Sequence, residues 1–548
     1  MTATTTTAPL PRTHRRAAAS VTAGPQREAR LLFAGLLVVY LAAAAALVFG
    51  LGITLVDALS RVGSTSTALH SGDPKLSAIG FVWSPLPALL MLPFVALRPV
   101  APWLVETGFV ASVLSAVSMA AAMAVLSSLL HEQGVRTGWR RLLVACVALN
   151  PIILFYGANG MSEALGVLLL LIAARGMQRW AQEGRSTGLA SAGFALGLAY
   201  LTRYEAIAGG IAAVAIIALL HALRGNGSWG ERRGAAVADA ILVGLPVAAA
   251  IIVWSLTSWA IVGSPFEQFS SVYGNSANLE RARDTPAGLA GPSASVVGIQ
   301  IASLAPSLML LLPLTLAGLI RRRERLERLA PVAVIGAVLT AQALGTLLGL
   351  TFDWLRFSLL AIPTAALLAG VALTGAARPS AVQRRPGLPA LAAVALLVVG
   401  MFTTAAAMSN TRLAPEEWEI VATILDPAYD GVQERERAGE RALAELLDSR
   451  NLDEGAVLVD NASAFGVVLV SAAPRQFIVT SDDQFDAALA DPAAFGVRYL
   501  VVPGPGGSDA VNRAYPSLYV DGAGIAQLDA RVRGGPLGAE WRVYAVNP

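Results

Sequence analysis

Apolar runs long enough to cross a bilayer recur through the first three quarters of the chain, at residues 31–53, 104–130, 139–157, 161–179, 188–202, 204–223, 236–262, 294–320, 329–351, 355–375 and 387–408. A hydrocarbon core takes about 20 apolar residues in a helix. These runs therefore predict a polytopic all-α membrane region of about eleven transmembrane helices. The composition agrees: 55% of the 548 residues are hydrophobic, only 14% are charged, and the mean hydropathy is +0.61.

Arginines order these runs in the membrane. They cluster in alternate loops, as Arg136, Arg140 and Arg141, then Arg175, Arg179 and Arg185, then Arg224, Arg232 and Arg233. The pattern continues with Arg321, Arg322, Arg323, Arg325 and Arg328, and with Arg378, Arg384 and Arg385. The loops between hold Glu163, Glu205, Glu267, Asp284 and Asp353 instead. By the positive-inside rule the arginine-bearing side is cytoplasmic. So is the N-terminus, because Arg12, Arg15, Arg16, Arg27 and Arg30 precede the first run. Residues 1–30 lack apolar periodicity and are expected to form a disordered cytoplasmic tail. The net charge of +3 thus reports topology in a plasma-membrane protein and gives no basic face for a nucleic acid. Cys146 is the only cysteine, so an intramolecular disulfide and a cysteine-based metal site are excluded.

Two regions stand apart from the spans. Residues 81–97 are apolar but carry Pro85, Pro87 and Pro93, and counting them as a crossing would invert the arginine pattern; they predict an interfacial or re-entrant helix in an external loop of residues 57–103. From residue 411 the apolar runs stop. Residues 415–450 read as helical with solvated faces that include Glu416, Glu417, Glu434, Glu436 and Glu440. The segments GAVLVD (455–460), RQFIVT (475–480), VRYLVVP (497–503) and EWRVYAV (540–546) read as strands, the last of them at an edge. Strands alternating with helices predict a C-terminal extracytoplasmic α/β domain over residues 411–548. Gly504, Gly506 and Gly507 are interrupted by Pro505 and suit a turn better than a phosphate cradle.

The polar residues on the external side form a mixed acidic and basic set. They are Asp57, Arg61, Asp73 and Lys75, the only lysine, in the first loop; Glu163 in GANGMSEAL; Arg203 and Glu205 in LTRYEA; and Asp353 and Arg356 in FDWLRF, with Glu267, Arg281, Arg283 and Asp284 in a later loop. An ionisable cluster at a membrane boundary is a functional-site hypothesis by default. Guanidinium and ammonium groups suit a lipid phosphate, and a carboxylate suits the proton of an acceptor hydroxyl. Each residue also has a structural reading. Asp57 can pair with Arg61 one turn on, Asp73 can hold the turn before Pro74, Arg203 can pair with Glu205, Glu163 can serve a helix start, and Trp83, Trp103 and Trp354 fit an interfacial belt.

These residues carry a resemblance. Asp57 just past the first span, WSPLPALL in the same loop, Asn150-Pro151 opening into FYGANGMSEAL, the GLAYLTRYEA run, and Arg356 followed by Pro363 resemble the GT-C superfamily of polyprenyl-phosphate-dependent glycosyltransferases, the protein mannosyltransferase and aminoarabinose transferase-like membrane enzymes. The resemblance covers residues 31–375. It implies transfer of a sugar from a polyprenyl-phosphate donor to a glycan, glycolipid or protein acceptor, with inversion. It also implies an acidic general base in the first external loop, Asp57 with Asp73 as its rival, and donor or substrate binding by Arg61, Lys75, Glu163, Arg203, Glu205 and Arg356. Family members differ in metal use, so a divalent cation is left open; no histidine pair here has metal-ligand spacing. The departure is that Asp57 is followed by Ala58 and not by a second acid. A lipid or solute transporter and a non-catalytic scaffold are the other classes considered. A transporter would place its ionisable groups at mid-depth and repeat its interrupted segments, and this sequence does neither.

Overall fold

The computed structural model describes residues 12–224, 228–283, 293–321, 326–374, 387–426, 429, 431–504 and 508–548. Residues 1–11, Asp284, Arg322, Arg323, Arg325, Arg378, Arg384, Arg385, Pro505, Gly506 and Gly507 of the sequence reading lie outside them. Within the stretch expected to be disordered, helix begins at Arg12 and runs to Ala45. Ala17–Ala19, strong helix formers, fall in this stretch.

Among the described residues, eight helices are long and apolar enough to cross a membrane: Gln26–Gly50, Phe109–Glu132, Glu163–Glu183, Tyr204–Leu223, Trp229–Val262, Leu326–Leu347, Leu355–Thr374 and Leu388–Met408. The run expected as one span at 294–320 is two helices, Ala294–Leu304 and Ser307–Gly318, bent by 94°. Pro306 lies in the break, where it cannot donate to the helix ladder. Counted as one crossing, the pair makes nine. The other two expected spans are helical but short. Residues 139–157 divide into Thr137–Ala148 and Pro151–Tyr156, where Asn150 Oδ1 accepts from the Ile152 amide and Pro151 opens the new helix. Residues 188–202 form Ser186–Tyr200, only 15 residues long.

That short helix packs closely on its neighbour. A Cβ built on Gly188 would lie 2.5 Å from the Gly176 carbonyl oxygen and 3.1 Å from the Trp180 amide nitrogen, both backbone atoms that cannot swing aside. Small residues let membrane helices approach this closely. Gly188→Val is expected to cost about 1–3 kcal/mol through overpacking. Thermal unfolding of the purified variant in detergent checks this, and an unchanged melting temperature would refute it.

The 81–97 segment folds as Leu86–Val95, ten residues with Pro87 in its first turn. Ten residues rise about 15 Å, half of a hydrocarbon core. It lies beside the helix Val56–His70, which follows a break after the first span.

Beyond Met408 the chain forms Pro415–Leu425, Val432–Asp448 and a five-stranded sheet of order β2-β1-β3-β5-β4. The strands are β1 (Val457–Val459), β2 (Phe477–Val479), β3 (Tyr499–Val502), β4 (Ala526–Arg533) and β5 (Glu540–Val546). β1 is parallel to β2 and β3, while β5 runs antiparallel to β3 and β4. The expected edge strand β5 is therefore internal, and the edge is β4. AQLDARVR alternates apolar and polar residues and half faces solvent, so it shows no apolar run.

The sheet region is fastened to the bundle through the loop that follows the first span. Arg98 donates to Ser66 Oγ at 3.1 Å and to the carbonyls of Leu469 and Ser471 at 2.9 and 2.7 Å. Tyr273 donates to Asp460 Oδ2 at 2.7 Å, beyond the end of β1.

Candidate functional site

The loops at one end of the bundle enclose a cavity of about 660 Å³. Apart from Arg61, the charged residues on its wall come from a helix end or a break, where the backbone leaves regular structure. Asp57 is in the first turn of Val56–His70, and Arg61 is one turn further along. Glu163, which lies behind the wall in contact with Arg203 and Arg356, opens Glu163–Glu183. Arg203 sits with extended backbone between Ser186–Tyr200 and the Tyr204–Ala206 turn that holds Glu205. Arg356 lies in the 3-10 turn Leu355–Ser358.

Arg356 is the centre of this group and is 6% exposed. Its Nη2 donates to Asp57 Oδ2 at 3.2 Å, its Nη1 lies 3.1 Å from Glu416 Oε1, and its Nε lies 3.7 Å from Glu163 Oε1. The guanidinium also rests over Trp354, 4.2 Å from the ring centre. Arg203 forms a second node, donating to Glu163 Oε1 at 2.6 Å and to Glu205 Oε1 at 2.7 Å. Gln342 reaches Glu205 from the helix opposite, at 3.1 Å.

Arg61 is the guanidinium left with spare capacity. It stacks over Trp83 at 4.5 Å, and its buried Nη1 has no hydrogen-bond partner among the described residues. Burial lowers its proton affinity, while Asp57 and Glu163 oppose that effect. A guanidinium remains charged under such conditions. The structural alternative for Asp57, a surface pair with Arg61, is not formed; Asp57 pairs with Arg356 instead. Asp57 is nonetheless the accessible member, with a quarter of its side chain exposed against 5% for Arg356.

The structure brings together Asp57, Arg61, Glu163, Arg203, Glu205 and Arg356 around this cavity and its base. It does not bring Asp73 and Lys75 there. Lys75 donates to Asp73 Oδ2 at 2.8 Å and pairs with Asp483, whose amide donates to the same Asp73 oxygen at 2.9 Å. The hydrogen bond from Lys75 holds the Asp73 carboxyl below the usual range. This pair ties the loop after the first span to the sheet region.

Three acids expected on solvated faces lie inside: Glu440, 9% exposed and paired with Arg437, and Glu416 and Glu417 near the cavity. Glu417 is fully buried, and Glu416 reaches Arg356 from the helix Pro415–Leu425. Tyr156 Oη donates to Glu417 at 2.8 Å and lies 3.3 Å from Glu416. Burial pushes Glu416 up to about 8, reinforced by the charges of Asp57 and Glu417 and opposed by Arg356. Burial also raises Glu417, against the hydrogen bond from Tyr156. Five acids face three arginines here. Protonation of Glu416 removes one of the two surplus negative charges next to Arg61.

Glu416 binds its proton more tightly in the folded chain than in the unfolded one. In the window between the usual carboxylate value and about 8 the folded state holds the extra proton, so stability falls as pH rises. The melting temperature of the purified protein is expected to drop between pH 6 and pH 9, and Glu416→Gln should flatten the drop. Parallel pH profiles of the two proteins would disprove this.

Trp83 and Trp354, expected in the belt, instead line the cavity beneath guanidiniums. Trp103, half exposed against Phe49 and Phe109, does match a belt position. The sequence offered one signal for Glu416 and Glu417, namely a paired acid directly after the last span, but helical periodicity alone turns it outward. Among the described residues, no group of three or more His, Cys, Asp or Glu side chains is placed to hold a metal ion. The carboxylates converge on arginines.

No family model and no curated protein matches this sequence. Among solved structures, the chain is similar to ArnT from Cupriavidus metallidurans in two crystal structures. For the one bound to undecaprenyl phosphate the identity is 11%, with 94% of this chain and 98% of that chain covered and a TM-score of 0.48. For the apo state the identity is 13% over the same shares, with a TM-score of 0.47. At these values the likeness gives no residue of this chain a role, and the roles rest on the cavity itself.

Proposed function

We propose that the protein is an inverting membrane glycosyltransferase that moves a sugar from a polyprenyl-phosphate donor to an acceptor outside the cytoplasm. The observation that carries this reading is one cavity lined by a part-exposed carboxylate, Asp57, and by three guanidiniums, those of Arg61, Arg203 and Arg356. In this mechanism Asp57 takes the proton of an acceptor hydroxyl as its oxygen attacks the anomeric carbon. The bond from that carbon to the donor phosphate breaks, and the phosphate leaves with its negative charge beside Arg61. Arg356 orients Asp57, and Arg203 with Glu163 and Glu205 fixes the cavity floor. Trp83 supplies an aromatic wall on which Arg61 is held flat.

The orientation follows from the arginine pattern, with the N-terminus cytoplasmic and residues 411–548 outside. In this orientation the sheet region is tied to the chain close to the cavity, through Tyr273, two residues from the cavity-lining Asn275, and positions the acceptor. The transferase reading is tested by incubating purified protein with labelled sugars on a panel of polyprenyl phosphates and a mixture of envelope acceptors. Transfer from at least one donor supports it. A folded protein that transfers from none refutes it and favours a transporter.

A further inference from the structure

The opposite end of the bundle carries a second charged cavity, and we infer that it binds the phosphate-bearing headgroup of an anionic phospholipid. It lies about 24 Å from the first along the helix Glu163–Glu183, since Arg179 follows Glu163 by sixteen residues. The cavity measures about 440 Å³ and is lined by Arg30, Arg140, Arg175 and Arg179, with Ser127 and Ser128 between them. A smaller one of about 210 Å³, which shares Arg175 and Arg179, adjoins it and adds Arg185.

The local charge is unbalanced. Arg175 and Arg179 both donate to a single oxygen, Glu132 Oε1, at 2.6 and 2.7 Å through their Nη2 atoms. Arg140 and Arg141 share Glu28. Arg30 makes no ion pair among the described residues. Two carboxylates therefore serve five arginines around this opening. Arg140 is 4% exposed, lines the cavity, and has a buried Nε without a partner. A cluster of arginines with free donors in a cavity this size selects a phosphate, whose oxygens accept several such hydrogen bonds at once.

The surroundings favour a lipid over a soluble ion as the source of that phosphate. The cavity opens where spanning helices end, and exposed aliphatic residues follow its arginines closely in sequence. Leu31, next to Arg30, is 65% exposed, and Leu142, next to Arg141, is 38% exposed. Acyl chains can lie along these side chains while the headgroup enters. Basic pockets between helix ends on the positive-inside face are suited to anionic headgroups. This inference does not depend on the transferase reading, since none of its residues lines the other cavity.

Native mass spectrometry of the full chain released from micelles tests it, with phosphatidylglycerol and phosphatidylcholine of equal chain length as probes. Phosphatidylglycerol should be retained about tenfold more than phosphatidylcholine. Arg30→Gln should weaken that preference, and Arg175→Gln with Arg179→Gln should abolish it. Arg175→Lys with Arg179→Lys keeps the charges near Glu132 and should retain most of the preference, which separates lost binding from lost folding. Equal retention of the two lipids, or unchanged preference in both glutamine variants, would overturn the inference. So would displacement of phosphatidylglycerol by equimolar inorganic phosphate, which would make the site one for a soluble anion.

Discussion

Asp57→Asn is expected to lower the rate of sugar transfer by about 10²- to 10⁴-fold, the contribution of a positioned general base. The substitution keeps the shape of the side chain and its contact with Arg356, so binding of the donor should change little and the loss should fall on kcat. Asn cannot take a proton from the acceptor hydroxyl. Its oxygen can still accept from Arg356 Nη2, now 3.2 Å from the carboxylate, which protects the fold. Asp73→Asn is the internal comparison. Asp73 lies in the same loop but is tied to Lys75 and the Asp483 amide, so its replacement should leave kcat near the starting value. Transfer kinetics of both variants with a donor found active decide the matter. Full activity in Asp57→Asn, or an equal loss in Asp73→Asn, would remove Asp57 from its role.

The contrast between these two aspartates shows what the sequence can and cannot reveal. Both follow the first span, both sit near a basic residue, and nothing local ranks them. Eight of the eleven expected span positions were legible because bilayer thickness imposes a length on apolar runs, and the short helix Leu86–Val95 was legible because its prolines and the arginine count both argued against a crossing. Arg203, Glu205, Glu163 and Arg356 were legible as ionisable groups at helix ends in a chain with few charges. Which of them meet was not, because helix-to-helix distances depend on packing that no local pattern encodes. Glu416 and Glu417 were misread for the same reason. In a helix beginning PEEWEI both acids look solvated, and only the placement of Tyr156 and Arg356 from distant segments turns them inward. The strand β4 escaped notice because a half-exposed edge strand can be written largely in polar residues.

Arg356→Gln is expected to be the most damaging single change to the fold of the site, costing about 3–5 kcal/mol as a broken buried ion pair does. The reason is geometric. One guanidinium answers three carboxylates, those of Asp57, Glu163 and Glu416, from three separate helices. Removing it leaves Asp57 and the buried Glu163 without this cation, next to a Glu416 that stays protonated, whereas removing any one acid leaves the arginine two partners. Lysine should rescue only in part, since a point charge cannot address three directions as a planar fork does. Glu163→Gln added to Arg356→Gln should restore some of the lost stability, because it deletes one of the stranded charges; coupling between contacting residues of this kind amounts to about 0.5–3 kcal/mol. Glu163 also binds Arg203, so the rescue is incomplete by construction. Thermal unfolding of the single and double variants measures the coupling. If Arg356→Gln melts with the unaltered protein, or if the two changes simply add, Arg356 is not the keystone of this cluster, and its role reduces to contact with the donor.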